Sequence, residues 1–421
     1  MADPVQHSML CSTIRGCMSR FELWLIVALT LFATAAHAQS YTILSNFTGQ
    51  AAGALPYDAV TMDVAGNLYG TASHGGSGIG QSGNGTVFRL SRSGSGWVFT
   101  LLYTFQGGSD GAVPESGVVF GPDGALYGTT TAGGGNGCGE NGCGTVFKLT
   151  PPTGVCKAAS CPWSEVLLYR FVGAPDGAFP AYGNLVFDQA GAIYGTTAYG
   201  GSSGYGTVYK LTNSGGTWTE SVLYAFTGGP QAYPFAGLVA DELGNFFGTT
   251  FGYGYGQGSV YELSSSGSGW IYQTLSTFSG QGEGAQPTGG VSIDQYGNLH
   301  GTTTGGGPYG GGMVYELMPS QGNWTFVLLQ GLQFYAIAWD TPTLDNEGNI
   351  YGTAAFTGGP GEVFELRRSG GGWSFRILHT FTGSDGYLPF GSVTVDSNGN
   401  LYGTTYSGGS GGGGVIWELS P

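Results

Sequence analysis

One phrase, written seven times, constrains this chain more than anything else in it. Its clearest copy is Asn400-Leu401-Tyr402-Gly403-Thr404-Thr405, and it recurs from Asn67, Ala125, Ala192, Asn245, Asn298 and Asn349. The aromatic position is Tyr69, Tyr127, Tyr194, Phe247, His300, Tyr351 and Tyr402, at spacings of 58, 67, 53, 53, 51 and 51 residues. A period of about 50 residues marks a propeller or solenoid built of supersecondary units. Glycine makes up 84 of 421 residues with no three-residue period, so collagen is excluded. Aromatics at 14% argue against disorder, because those rings must be buried somewhere.

The repeat that begins at Gly237 shows the unit. Gly237 to Asp241 is a short apolar run, strand a, and Asp241-Glu242-Leu243-Gly244 is a turn. Asn245 to Thr250 is strand b, and Phe251 to Gly258 is a loop rich in Gly and Tyr. Ser259 to Leu263 is strand c, and Trp270 to Phe278 is strand d. Four short antiparallel strands per repeat are the anatomy of a propeller blade. Strand d opens with Trp97, Trp163, Trp218, Trp270, Trp324 and Trp373, and the seventh repeat ends at Pro421 without one. Tyr41 to Phe47 resembles the ends of the other d strands, Leu101 to Phe105 and Ile377 to Phe381. The prediction is an all-β, seven-bladed β-propeller, closed by an N-terminal strand 41–47 that completes the last blade and leaves no edge there. A parallel β-helix is the weaker alternative, since it places no hairpin turn after strand a.

Residues 1–38 read as a signal peptide. Arg15 and Arg20 give a positive region, Leu23 to Ala33 is apolar apart from Thr30, and Ala36-His37-Ala38 fits a cleavage site. Residues 39–421 are then one secreted domain, with no integral membrane segment after cleavage. Export makes disulfides expected among Cys138, Cys143, Cys156 and Cys161. The strand Thr145 to Leu149 separates the two pairs, which favours Cys138–Cys143 and Cys156–Cys161 and disfavours a four-cysteine zinc site. A formal charge of −15 makes nucleic acid a poor partner.

Tyr-Gly-Thr-Thr, Gly-Gly, Gly-Thr-Val-Phe-Lys-Leu-Thr-Pro, Leu-Tyr-x-Phe and Asp-Gly-x-x-Pro follow one another in order. The clearest unit runs from Gly117 through Tyr127, Gly144 to Pro151, Leu168 to Phe171 and Asp176 to Pro180. This resembles the GloVer tandem repeat of secreted bacterial "choice-of-anchor" proteins, over residues 41–421. The resemblance implies an exported β-propeller and no particular reaction. The sequence departs from that pattern in showing no C-terminal sorting anchor. The strand order is also similar to kelch blades, which transfers no function.

In such a blade the d–a and b–c loops share one face. Six residues before the Asp that ends strand a stand Tyr57, Glu115, Tyr182, Phe235, Thr288, Trp339 and Phe390. The b–c loops add Tyr199, Tyr205, Phe251, Tyr253, Tyr255, Tyr309, Phe356 and Tyr406. Rings around a concave mouth suit the apolar faces of sugars. We therefore expect ligand contacts from Tyr57, Tyr182, Phe235, Trp339, Phe390, Tyr199, Tyr253 and Tyr406, unless the column packs between blades. Asp58 and Asp340 occupy equivalent positions, and with Glu115 they are the carboxylates an enzyme would use, at separations of roughly 5–9.5 Å for glycoside hydrolysis. Asp110, Asp176 and Asp385 precede Gly and read as turn formers. The repeated Asp at 63, 188, 241, 294, 345 and 396 would suit Ca2+, but a turn cap at every blade is the better account, and no cofactor is expected. His74, His300 and His379 each stand alone in the sequence, so no metal cluster is visible.

The preferred reading is a secreted binding module or scaffold that recognises a glycan or cell-surface polymer on the d–a/b–c face. A polysaccharide hydrolase or lyase, and a protein-interaction scaffold of the cell envelope, are the alternatives.

Overall fold

The computed structural model describes residues 39–421 except 77–82, 95, 136, 153–162, 255–256, 268, 335 and 357. The signal segment, Cys156, Cys161 and Tyr255 lie outside the described residues. Seven four-stranded antiparallel blades form a β-propeller. Blade 4 is representative, with strands a to d at Val239–Ala240, Phe246–Thr250, Ser259–Ser266 and Gly269–Thr277. Blade 7 orders Thr394–Val395, Leu401–Thr405, Val415–Ser420 and then Ser40–Asn46. The expected N-terminal closure is therefore present, one residue earlier than predicted. Phe47 follows the strand and is buried. In blade 2, strand d begins at Ser164, one residue after Trp163.

Register explains the repeated phrase. Strand b pairs with strand c so that Gly faces the aromatic, as in Gly403↔Trp417, and Tyr faces the charged residue, as in Tyr402↔Glu418. A Cβ on Gly403 would lie 2.3 Å from Trp417 Cζ2, and one on Gly195 2.5 Å from the Tyr209 hydroxyl. The strand c aromatic thus lies over the glycine, and only glycine leaves it room. Gly403→Ala is expected to cost about 1–3 kcal/mol as overpacking, read as a lower midpoint in urea unfolding with an unchanged slope.

The Thr-Thr pair does more than favour a strand. In every blade the first Thr reaches the next blade, in blade 2 from Thr129 to Pro180 O at 3.1 Å and in the other six to the residue five before the aligned turn position. Its hydroxyl donates to Ser116 O from Thr71 (2.7 Å), to Ala236 O from Thr196 (2.7 Å) and to Gly289 O from Thr249 (2.8 Å). Thr302, Thr353 and Thr404 donate likewise to Asp340 O, Gly391 O and Asp58 O. The last of these joins blade 7 to blade 1. Between blades, five of the strand d Trp rings pack on the preceding blade's strand b ring, among them Trp97 on Tyr402, Trp163 on Tyr69 and Trp270 on Tyr194.

Each a–b turn is closed by its Asp. Asp396 Oδ1 accepts Asn398 N and Asn400 N at 2.8 Å, and Oδ2 accepts Asn400 Nδ2 at 2.8 Å and the Tyr402 hydroxyl at 3.3 Å. Burial would raise this carboxyl, but the donated bonds outweigh it and hold the group below its ordinary range. In blade 2 the role falls to Asp123, two residues beyond the aligned Gly121.

Candidate functional site

The d–a loops are built around a hook. The residue before proline adopts positive φ at Leu55, Val113, Phe179, Tyr233, Gln286 and Leu388, between 54° and 60°. Such conformations cost about 1–3 kcal/mol and persist only where the surroundings impose them. Here each hook N–H donates to the preceding blade's b–c loop, as Phe179 N does to Cys143 O and Tyr233 N to Tyr205 O. The following proline seats on a glycine of that loop: a Cβ on Gly206 would be 2.6 Å from Pro234 Cδ. In blades 3 and 4 the hook residue is an aromatic, Phe179 or Tyr233.

Those rings join others into a continuous track. Tyr199 lies 5.5 Å from Phe179, 5.3 Å from Tyr233 and 6.3 Å from Phe235, measured between centroids. Tyr205 lies 5.7 Å from Tyr233 and 6.0 Å from Tyr253. Inward, Phe235 meets Tyr182 at 5.9 Å, and Tyr182 stacks on Tyr57 at 4.8 Å. Around the axis, Tyr57, Trp339, Phe390 and Tyr406 close the channel mouth with centroids 5.2 to 6.4 Å apart. The column packs neither between blades nor as an open ring. It forms a half-buried plug across the mouth. Tyr199 and Tyr253 are 41% and 61% exposed.

The track runs on backbone that is held rather than loose. Gly177–Ala178 pair with Tyr199–Gly200, so Tyr199 sits on a short ladder. Cys138–Cys143 staple the neighbouring b–c loop of blade 2. Across 172–185, 198–206, 226–238 and 251–258 the only charged residue is Asp176. Asp176 is buried and accepts Gly177 N at 2.6 Å and Val172 N at 3.0 Å, as a turn former should.

The three candidate carboxylates line one small pocket at the plug together with Tyr57, Tyr182, Trp339 and Phe390. Asp58 and Asp340 line the same small pocket and each carboxyl acts on the other, an arrangement that a proton held between them would relieve. Burial raises both groups, and the Asp340 charge raises Asp58 further, well above the carboxylate range. Asp58 also accepts Ala59 N and Gly117 N, each at 2.6 Å. Asp340 accepts Thr341 N and Ser392 N, each at 2.6 Å. Each carboxyl therefore ties its own blade to the next, 1 to 2 and 6 to 7. The pocket they share holds only about 10 Å3, which leaves no room for a sugar between them. Glu115 is pushed up to about 7 by burial. Below the pinch the channel holds a cavity of about 680 Å3, lined in part by Asn184, Asp340 and Ser392.

All eight predicted ligand residues except Tyr253 and Tyr199 sit in or beside the plug, and those two sit on the track. Sequence reasoning missed Phe179 and Tyr233, whose signal was the x-Pro that recurs in six of the seven d–a loops. It also took His300 as solitary, whereas Asp294 Oδ2 and Glu316 Oε1 stand 3.4 and 3.9 Å from its Nε2. Asp294 comes from the turn and Glu316 from the facing strand, so the trio is invisible to a search for close spacing.

The Gloeobacter/Verrucomicrobia repeat description matches residues 29–255 and 240–421. Among solved structures the chain is similar to a candidate 6-phosphogluconolactonase from Bacteroides uniformis, at 15% identity and TM-score 0.50 over 82% of this chain and 89% of that one. It is also similar to a fungal alcohol oxidase of the AA5 family in complex with copper, at 14% identity and TM-score 0.56 over 91% and 77%. At such identities the likeness shows the fold alone. No curated protein matches the chain.

Proposed function

The chain belongs to the Gloeobacter/Verrucomicrobia repeat family, and we propose that it is an exported binding module that holds an uncharged glycan along the aromatic track of blades 3 and 4. One observation carries this reading. Exposed and half-buried aromatic rings lie in contact from Tyr253 through Tyr233, Phe235 and Tyr182 to Tyr57, on loops whose sole charge is buried. Apolar ring faces with phenol hydroxyls at their edges fit stacked sugars and their hydroxyls. A polyanion would find no cation along those loops, and a polycation no exposed carboxylate. Export accords with the reading of 1–38 and with the Cys138–Cys143 disulfide.

The test is a binding titration with neutral glucans, xylans and mannans beside pectate and hyaluronan, with chromatography for products. Saturable binding to a neutral polymer without products is expected. Tyr199→Ala with Tyr233→Ala should weaken it at least about tenfold, since a stacked ring is worth about 0.5–1.5 kcal/mol beyond its area. Preferential binding of the charged polymers, or release of oligosaccharides, contradicts the proposal.

A further inference from the structure

Blade 5 departs from its neighbours at one position. In blades 6 and 7 a tyrosine hydroxyl bridges two carboxylates: Tyr351 to Asp345 and Glu365 at 3.1 and 3.3 Å, Tyr402 to Asp396 and Glu418 at 3.3 and 2.9 Å. Blade 5 keeps both carboxylates, Asp294 and Glu316, and puts His300 between them. The imidazole is 1% exposed, and the carboxylate side chains are 8% and 7% exposed. His300 makes no hydrogen bond of ordinary length. Its buried Nδ1 has no partner among the described residues, and Nε2 reaches Asp294 only at 3.4 Å.

These distances are poor for hydrogen bonds and good for a shared ion. Two ligands about 2.1 Å from a tetrahedral zinc are about 3.4 Å apart. Asp294 Oδ2, His300 Nε2 and Glu316 Oε1 all lie within 4.8 Å of one another. The a–b turn, strand b and strand c each supply one of them. Asp294 is already fixed through its other oxygen, which accepts Tyr296 N and Asn298 N, while Oδ2 itself accepts Asn298 Nδ2 at 2.9 Å and keeps a lone pair for an ion. A cleft of about 380 Å3 between the turns of blades 5 and 6 is lined by Asp294 and Arg368, with His300 and Glu316 buried behind them. Arg368, from blade 6, holds Glu316 Oε1 at 3.3 Å, but its side chain is 50% exposed and can withdraw along the face of Trp373.

We propose that Asp294, His300 and Glu316 bind one zinc ion at the seam of blades 5 and 6, with the fourth position open to the cleft. Imidazole with carboxylate is a donor set that suits zinc. Nδ1 lacks the acceptor that usually orients a zinc-bound histidine, and such partners are worth about 10–100-fold in affinity, so binding in the micromolar range is expected. Arg368 competes as a like charge.

Calorimetric titration of the purified protein with ZnCl2 tests this. One equivalent should bind. His300→Tyr, which rebuilds the trio of blades 6 and 7, should keep the thermal midpoint and weaken zinc at least tenfold. Arg368→Ala should tighten it. If His300→Tyr does not fold, Glu316→Gln reads the same loss. No stoichiometric zinc on the wild type, or equal zinc on the His300 and Glu316 variants, with His74 or His379 as the adventitious ligand, overturns the proposal.

Discussion

Removal of residues 40–47 is expected to abolish cooperative folding, the largest effect of any change considered. That strand is the outer strand of blade 7. Without it, Val415–Ser420 becomes an unpaired edge with Trp417, now fully buried, uncovered on that side. Tyr41 loses its stack on His379 at 3.9 Å and its bond to Asp385 O at 2.6 Å. Phe47 loses its contact with Phe88 at 5.3 Å. Truncating one buried Phe costs about 3–5 kcal/mol, and whole domains are stable by only about 5–15 kcal/mol. Losing the strand and both rings therefore removes most of that margin. Urea unfolding followed by circular dichroism and Trp fluorescence should show a broad, early transition. A synthetic peptide of residues 40–47 should restore part of it. An unchanged midpoint would mean that the ring does not depend on this closure.

The second large effect concerns the carboxyl pair at the axis. Asp58→Ala is expected to destabilise by about 3–5 kcal/mol, the cost of breaking a buried paired group. It strands Ala59 N, Gly117 N and the facing Asp340. The pH dependence identifies the cause. Both folded groups titrate above their unfolded value, so the folded state binds more protons in that window. Stability from the pair is complete below the unfolded carboxylate range and is lost as pH rises through the raised folded value. Asp58→Asn removes the like charge but gives up one acceptor for a backbone N–H. It should be less stable than the wild type in acid, with the gap narrowing as pH rises. Glu115 is also raised, to about 7, but it remains in both proteins and cancels in the difference. A gap that stays constant with pH would assign the pair no shared proton.

Much of the fold was legible because its determinants are local and repeated. Turn Asp and glycine beside the aromatic lie within single repeats, and the strand d absent from the seventh repeat points to its counterpart at the N-terminus. The Thr clamp was not legible, since its acceptor is a backbone carbonyl of the next blade, about forty residues away in the sequence. The eight ring positions were legible as a set, because strand a begins where the blades converge and the b–c loops share that face. Their arrangement was not. Whether Tyr57 and Tyr182 stack across the axis depends on the pitch of seven blades together. Asp58 and Asp340 were equivalent in sequence, but their placement in one pocket follows from ring closure alone. Phe179 and Tyr233 escaped notice because a residue before proline ordinarily disfavours positive φ.

The most direct measurement is a crystal structure of the protein with the neutral oligosaccharide that binds it best. Sugar rings should lie on Tyr199, Tyr233 and Tyr253 of blades 3 and 4, with the chain pointing toward Tyr182 and the plug. Sugar bound elsewhere, with those tyrosines bare at saturation, would contradict the account.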